Sequence, residues 1–170
     1  IAAITQLGST GTVVVVALVV GVFAYVRTKR LAIPAFLATV VVGQWFLANL
    51  IKLIVARARP ALDPLASFSG ASFPSGHTTA AAATYLAVAL VLGLFVERRA
   101  RAVFMGVGVA VAVAVGSSRA LLGVHWFTDV IGGLILGWAW YAICSVTFGG
   151  RRFEFGAAVR DVEEQLEARN

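Results

Sequence analysis

Residues 31–55 read LAIPAFLATVVVGQWFLANLIKLIV. The only charge in this stretch is Lys52, three residues from its end. A helix rises about 1.5 Å per residue, so about 20 apolar residues cross the hydrocarbon core of a bilayer. The stretch is apolar on every side of a helical wheel, which suits a helix surrounded by lipid and other helices. Upstream, residues 10–26 (TGTVVVVALVVGVFAYV) form a second such run, closed by Arg27, Lys29 and Arg30. Downstream, Arg57, Arg59 and Pro60 end the quoted stretch, and residues 60–76 carry the Pro, Ser, Gly and Asp of a loop. Three further apolar runs cover residues 78–96, 102–116 and 127–148. Their Gly and Ala content allows helices to pack closely. The pattern predicts an all-α, polytopic transmembrane bundle with five spans.

Composition agrees. Of 170 residues, 60% are hydrophobic and 13% charged, where a soluble domain carries about 25% charged residues. Disorder is excluded by this apolarity, and a soluble globule of this size could not bury so much apolar surface. The single cysteine, Cys144, excludes an intrachain disulfide and argues against a cysteine-based metal site. Residues 1–150 read as one membrane core, and residues 151–170 as a polar tail, a charged helix at the membrane surface.

The net charge of +6 is a statement about orientation in a membrane protein, not about nucleic acid. With five spans the connections alternate sides. One side receives Arg27, Lys29, Arg30, Arg98, Arg99, Arg101, Arg151, Arg152, Arg160 and Arg169. The other receives Lys52, Arg57, Arg59 and Arg119. The positive-inside rule puts the first side, with the C-terminus, in the cytoplasm of a plasma (inner) membrane protein. The second side then faces outward, and it carries both histidines.

At that outer end several reactive groups converge. Lys52 and Arg59 lie about two helical turns apart and are expected to share a helix face. Pro74, Ser75, Gly76 and His77 precede the third run, Ser118 and Arg119 close the fourth, and His125 and Asp129 sit four apart at the start of the fifth. Ionisable groups at membrane depth are costly and mark function. Lys52, Arg59 and Arg119 would repel one another unless an anion lay among them, and phosphate suits the paired donors of Arg and the point charge of Lys. The backbone N–H groups of Ser75, Gly76 and His77 open a helix, itself an anion site. Asp129 can accept a hydrogen bond from His125, fixing its tautomer and leaving the other nitrogen free to attack phosphorus. His77 can protonate the leaving oxygen. The cations stabilise the transferring group, so this chemistry needs no metal and no cofactor.

At these residues the sequence resembles the type 2 phosphatidic acid phosphatase family, which also includes vanadium haloperoxidases. Lys52-x6-Arg59-Pro60, Pro74-Ser75-Gly76-His77 and Ser118-Arg119-x5-His125-x3-Asp129 match its three motifs in order. The resemblance implies that His125 is the nucleophile and forms a phosphohistidine, that Asp129 orients it, and that His77 is the general acid. It implies that Lys52, Arg59, Ser75, Gly76 and Arg119 hold the phosphate, with Pro60, Pro74 and Ser118 supporting the motifs. Membrane members of the family commonly have six spans, so a further span is expected ahead of residue 1.

The expected activity is hydrolysis of a lipid phosphate or diphosphate at the outer leaflet of a bacterial membrane. A prenyl diphosphate such as undecaprenyl diphosphate, a cell-wall carrier, comes first, with phosphatidylglycerol phosphate and phosphatidic acid next. The expected partners are that lipid and the bilayer, with no nucleic acid; the sequence is silent on oligomeric state. Leu62, Leu65, Phe68 and Phe73 are expected to seat the loop on the bilayer. An anion transporter would distribute charge along the spans, and a silent lipid-binding subunit would lose motif residues; neither pattern is present. A haloperoxidase is disfavoured because those relatives are soluble.

Overall fold

The computed structural model describes residues 2–60 and 70–152. Those residues form six helices and, among them, no strand: α1 (Ala2–Gln6), α2 (Thr10–Thr28), α3 (Ala32–Val55), α4 (Gly76–Gly93), α5 (Arg98–Leu121) and α6 (Phe127–Arg152). Helices α2 to α6 are long and apolar enough to cross a membrane, as the apolar runs predict. α6 continues to Arg152, past the expected core boundary at 150. The rest of the expected polar tail, and Leu62, Leu65 and Phe68 of the loop, lie outside the described residues.

The bundle is built around α4. Its sequence, GHTTAAAATYLAVALVLG, is dominated near its start by small side chains, and Thr78 through Thr84 are all buried. Small residues let neighbouring backbones approach, which is how helices associate where lipid removes the hydrophobic drive. Glycines on the partners meet this face. A Cβ at Gly137 of α6 would lie 2.6 Å from Ala82 Cβ and 2.7 Å from the Thr79 carbonyl oxygen. One at Gly116 of α5 would lie 2.6 Å from Val130 Cγ1 and 3.1 Å from Thr78 Cγ2. A second cluster, with Phe36, Leu37 and Val40 of α3 and Ala83, Ala87 and Val91 of α4, fills the opposite half of the bundle. The lipid-facing sides of the other helices stay apolar: Val19 of α2, Leu53 of α3, Val103 of α5 and Val146 of α6 are all exposed.

Helix ends depart from the apolar runs in ways that matter for the chemistry. α4 stops at Gly93, short of Val96, whereas α5 extends beyond its run at both ends and so includes Ser118 and Arg119. α3 stops at Val55, because Ala56 adopts the left-handed conformation (φ 46°) and its N–H bonds the Lys52 carbonyl at 3.0 Å. An L-residue other than Gly or Asn enters this region at a cost of about 1–2 kcal/mol. α3 and α5 finish, and α4 and α6 begin, at the same end of the bundle, which is where all the candidate site residues gather.

The tight fit of α6 on α4 gives a direct check. Gly137→Ala sets a methyl against backbone atoms that cannot turn away, so thermal denaturation in detergent should show a lower Tm, corresponding to an overpacking cost of about 1–3 kcal/mol.

Candidate active site

A cavity of about 770 Å³ opens at this end. Lys52, Arg59, Gly76, His77, Arg119 and His125 line it, together with Thr10 of α2 and Gln44, Trp45, Ala48 and Leu53 of α3. Six of the candidate residues therefore share one wall system. Gln44 lies two helical turns below Lys52, about 12 Å along the axis. The cavity thus runs from a cationic end along a mixed flank, where Trp45, Ala48 and Leu53 stand beside the amides of Gln44 and Asn49.

His125 and Asp129 meet as expected, although His125 stands two residues ahead of α6 rather than in it. His125 Nδ1 lies 3.4 Å from Asp129 Oδ2, and Nε2 lies 3.3 Å from Arg59 Nη1. A guanidinium can only donate, so Nε2 is the acceptor and the ring proton belongs on Nδ1, facing the carboxylate. The ring is buried. Burial first, and then the charges of Arg59, Arg119 and Lys52, push its pKa down to about 3, against a Ser72 backbone hydrogen bond that acts in the opposite sense. The imidazole is therefore neutral, with a lone pair on Nε2, at any physiological pH.

Arg59 reaches this ring from outside α3. The expectation that Lys52 and Arg59 share a helix face fails, because the left-handed Ala56 ends the helix between them. Arg59 instead comes from non-helical chain and is clamped on three carbonyls, donating to Gly70 (3.0 Å), Ala71 (3.3 Å) and Val124 (2.8 Å). Lys52 Nζ donates to the same Ala71 carbonyl at 2.6 Å. Both cations of the first motif are thus tied to the strand of loop that precedes Pro74.

Ser75 departs from its expected role. Its N–H donates to the Asp129 carbonyl at 3.0 Å, its hydroxyl accepts from Thr78 at 2.9 Å, and its side chain has no exposed surface. It anchors the start of α4 to α6 from behind the cavity wall, so Gly76 and His77 are the members of that turn that line the cavity. A Cβ on Gly76 would point toward Lys52 Cε, 4.0 Å away, and would take up cavity space between the turn and the lysine. Pro74, preceded by a cis peptide bond, is buried in the same turn. Ser118 is buried and its hydroxyl donates to the Val115 carbonyl at 2.7 Å, a bond within its own helix. Phe73, expected to seat on the bilayer, is half-buried. It packs against α6, where a Cβ on Gly132 would lie 2.4 Å from Phe73 Cε2.

Two contributors were not singled out by the sequence. Arg57 Nη1 donates to Asp129 Oδ1 at 2.9 Å and to Thr128 Oγ1 at 2.6 Å. An arginine at a span end reads as an ordinary interfacial anchor, and its partner lies 72 residues away. The N-terminal segment is the second. Buried Thr5 of α1 accepts a hydrogen bond from Arg119 Nη1 at 3.2 Å, while Arg119 Nε is buried without a partner. The backbone at Gly8 lies so close to α4 that a Cβ there would be 2.6 Å from the His77 carbonyl oxygen. Residues 5–8 thus hold two cavity residues from the side opposite the Arg59 clamp.

With this geometry in hand, comparison with known proteins is direct. Residues 32–153 match the family model described as PAP2 superfamily, and the chain belongs to that superfamily. It is 38% identical over 140 residues to phosphatidylglycerophosphatase B of Bacillus subtilis (strain 168), covering 79% of this chain and 66% of that one. It is 38% identical over 121 residues to the lipid A 1-phosphatase of Rhizobium johnstonii, covering 65% of this chain and 46% of that one. The chain therefore spans about half to two thirds of the length of these curated relatives. The structure superposes with a TM-score of 0.83 on the crystal structure of a transmembrane PAP2-type phosphatidylglycerolphosphate phosphatase from Bacillus subtilis, at 30% identity, covering 91% of this chain and 77% of that one.

Two measurements probe the site directly. Because burial and three cations disfavour the imidazolium, the His125 ring should stay unprotonated as pH is lowered from 7 until about pH 3, as read by ¹⁵N NMR of labelled histidine in detergent. Thr5→Val removes a hydrogen bond of about 1 kcal/mol from Arg119. It should weaken vanadate binding about fivefold, and Thr5→Ser should restore it.

Proposed function

We propose that the protein is a metal-independent lipid phosphate phosphatase working through a phosphohistidine. The observation that carries this reading is the His125 ring, held between Asp129 on Nδ1 and Arg59 on Nε2 at the wall of a cavity with two further cations. A phosphoryl group among Lys52, Arg59 and Arg119 would draw the Arg59 donor onto its own oxygens and free the Nε2 lone pair. Nε2 then attacks phosphorus, the bond from phosphorus to the lipid oxygen breaks, and His77 gives that oxygen its proton. In the second half a water attacks the phosphorus, His77 takes the water's proton, and the P–N bond breaks to release inorganic phosphate. The three cations and the Gly76 and His77 backbone stabilise negative charge on the transferring group throughout. Asp129 stabilises positive charge that develops on the ring as Nε2 bonds to phosphorus.

The lining of the cavity supports a lipid phosphate as substrate. Its cationic end continues for two helical turns along Leu53, Ala48, Trp45 and Gln44, a flank suited to the first part of a lipid chain. A phosphomonoester of a glycerophospholipid, with phosphatidylglycerol phosphate first, is favoured by the names of the relatives above. A prenyl diphosphate, the first expectation from the sequence, fits the same cationic end and is the competing substrate. The site belongs to the outer leaflet of the plasma membrane by the distribution of basic residues, with the C-terminus in the cytoplasm.

Purified protein in detergent should release phosphate from lipid phosphates in the presence of EDTA. His125→Ala should reduce release to background, and undiminished turnover would remove the nucleophile assignment. Assay of phosphatidylglycerol phosphate, phosphatidic acid and undecaprenyl diphosphate side by side should rank the first highest by kcat/KM.

A further inference from the structure

Asp129 is the only carboxylate at the candidate site among the described residues, and its side chain has no exposed surface. Oδ2 accepts from the Trp126 N–H at 2.9 Å and faces His125 Nδ1 at 3.4 Å. Oδ1 accepts from Arg57 Nη1 at 2.9 Å. A buried carboxylate deprived of a charged donor is strongly disfavoured, and this carboxylate can swing about its own axis unless both oxygens are held. Arg57 is itself fixed. Its Nη1 also donates to Thr128 Oγ1 at 2.6 Å, its guanidinium lies 5.5 Å from the Trp126 ring centre, and its carbonyl accepts from the Ser72 N–H at 2.9 Å. Trp126 in turn donates from Nε1 to the Ala58 carbonyl at 3.0 Å. Although Arg57 is partly exposed, one end of the pair is fully buried, which separates it from a surface ion pair of little worth.

We propose that Arg57 is a positioning residue: by holding Oδ1 of Asp129 it fixes the direction of Oδ2 and thereby the orientation and proton affinity of the His125 ring. The ring is faced by Lys52 from α3, Arg59 from the segment after α3, His77 from α4, Arg119 from α5 and Asp129 from α6, and Arg57 acts on it through the last of these. Removing the Arg57 charge leaves Asp129 a stronger acceptor for the ring proton on Nδ1. This favours the imidazolium, so the ring should protonate at higher pH. The effect on turnover rests on the proposed role of His125 as nucleophile, but the effect on ring titration does not.

The test uses the full chain in detergent, with wild type, Arg57→Gln, Arg57→Lys, Asp129→Asn and the Arg57→Gln/Asp129→Asn pair. The titration of His125 is followed by ¹⁵N NMR, and phosphate release is followed with a short-chain phosphatidic acid. Arg57→Gln should move the His125 midpoint up by about one pH unit. It should lower kcat about tenfold to a hundredfold, the size of loss that removing an outer hydrogen-bond partner of a metal-binding histidine causes, with KM little changed. Arg57→Lys, which keeps the charge, should recover most of the midpoint shift. In the Asp129→Asn background Arg57→Gln should add nothing further, because the two act as one unit. An unmoved midpoint in Arg57→Gln, or losses that multiply in the pair, would overturn the proposal. Should Arg57→Gln fail to fold, Thr128→Val removes the hydroxyl that shares Nη1. A smaller upward shift supports the role, and no shift overturns it. Absence of phosphate release by wild type would remove the functional reading and leave the titration result standing.

Discussion

Asp129 is a carboxylate with no solvent exposure at the mouth of an apolar bundle, and such a group is tolerable only if its oxygens are met by donors. The donors come from two parts of the chain: Arg57 from beyond α3, and the Trp126 backbone and His125 from the turn before α6. Its backbone carbonyl receives the Ser75 N–H and so ties the start of α4 to the start of α6. Asp129 therefore fixes the relative positions of three segments, two through its buried charge and one through its backbone. Those segments carry the imidazole, Arg59 and the turn that opens α4. The apolar spans make this possible by excluding water, which strengthens each of these bonds and makes each unmade one costly.

Around this anchor the site is a balance of like charges. Lys52, Arg59 and Arg119 all lower the proton affinity of His125, as does burial. Their mutual repulsion is relieved by carbonyls: Gly70, Ala71 and Val124 serve Arg59, and Ala71 also serves Lys52. Arg119 retains a buried Nε without a partner. The cations are thus held apart by neutral acceptors at fixed positions, with hydrogen-bonding capacity left over at Arg119. Preorganised donors of this kind need little rearrangement when negative charge arrives, which is the basis of electrostatic stabilisation in enclosed sites.

The spans were legible because lipid imposes a length and an unbroken apolarity that sequence displays openly. The gathering of His77, Arg119, His125 and Asp129 at one end followed from counting crossings. What escaped was one local stop and several long-range pairings. Ala56 is a good helix former, and nothing in its chemistry announces a left-handed stop, so Arg59 was expected on a helix that had already ended. The three N–H groups of residues 75–77 looked equivalent, yet Ser75 is consumed by a backbone carbonyl 54 positions later in the chain, a pairing visible only in three dimensions. Arg57 and Thr5 escaped for the same reason. Each acts on a motif residue far along the chain, 72 positions away for Arg57 and 114 for Thr5, and neither lies in a pattern of its own.

The left-handed residue at 56 has a consequence for how the first motif measures distance. From Lys52 to Val55 the chain advances as a helix, and a shift of one residue there turns a side chain by about 100°. From Arg57 to Pro60 it is not helical, and Arg57 and Arg59, two apart, reach Asp129 and His125, the two members of one pair. Helical spacing would have set the two arginines about 200° apart and sent one of them into lipid. The interval between Lys52 and Arg59 is therefore a composite ruler, part coil spring and part tape. Losing one residue on either side of its joint would bring the wrong side chain to the histidine, even with every motif residue still present in the sequence.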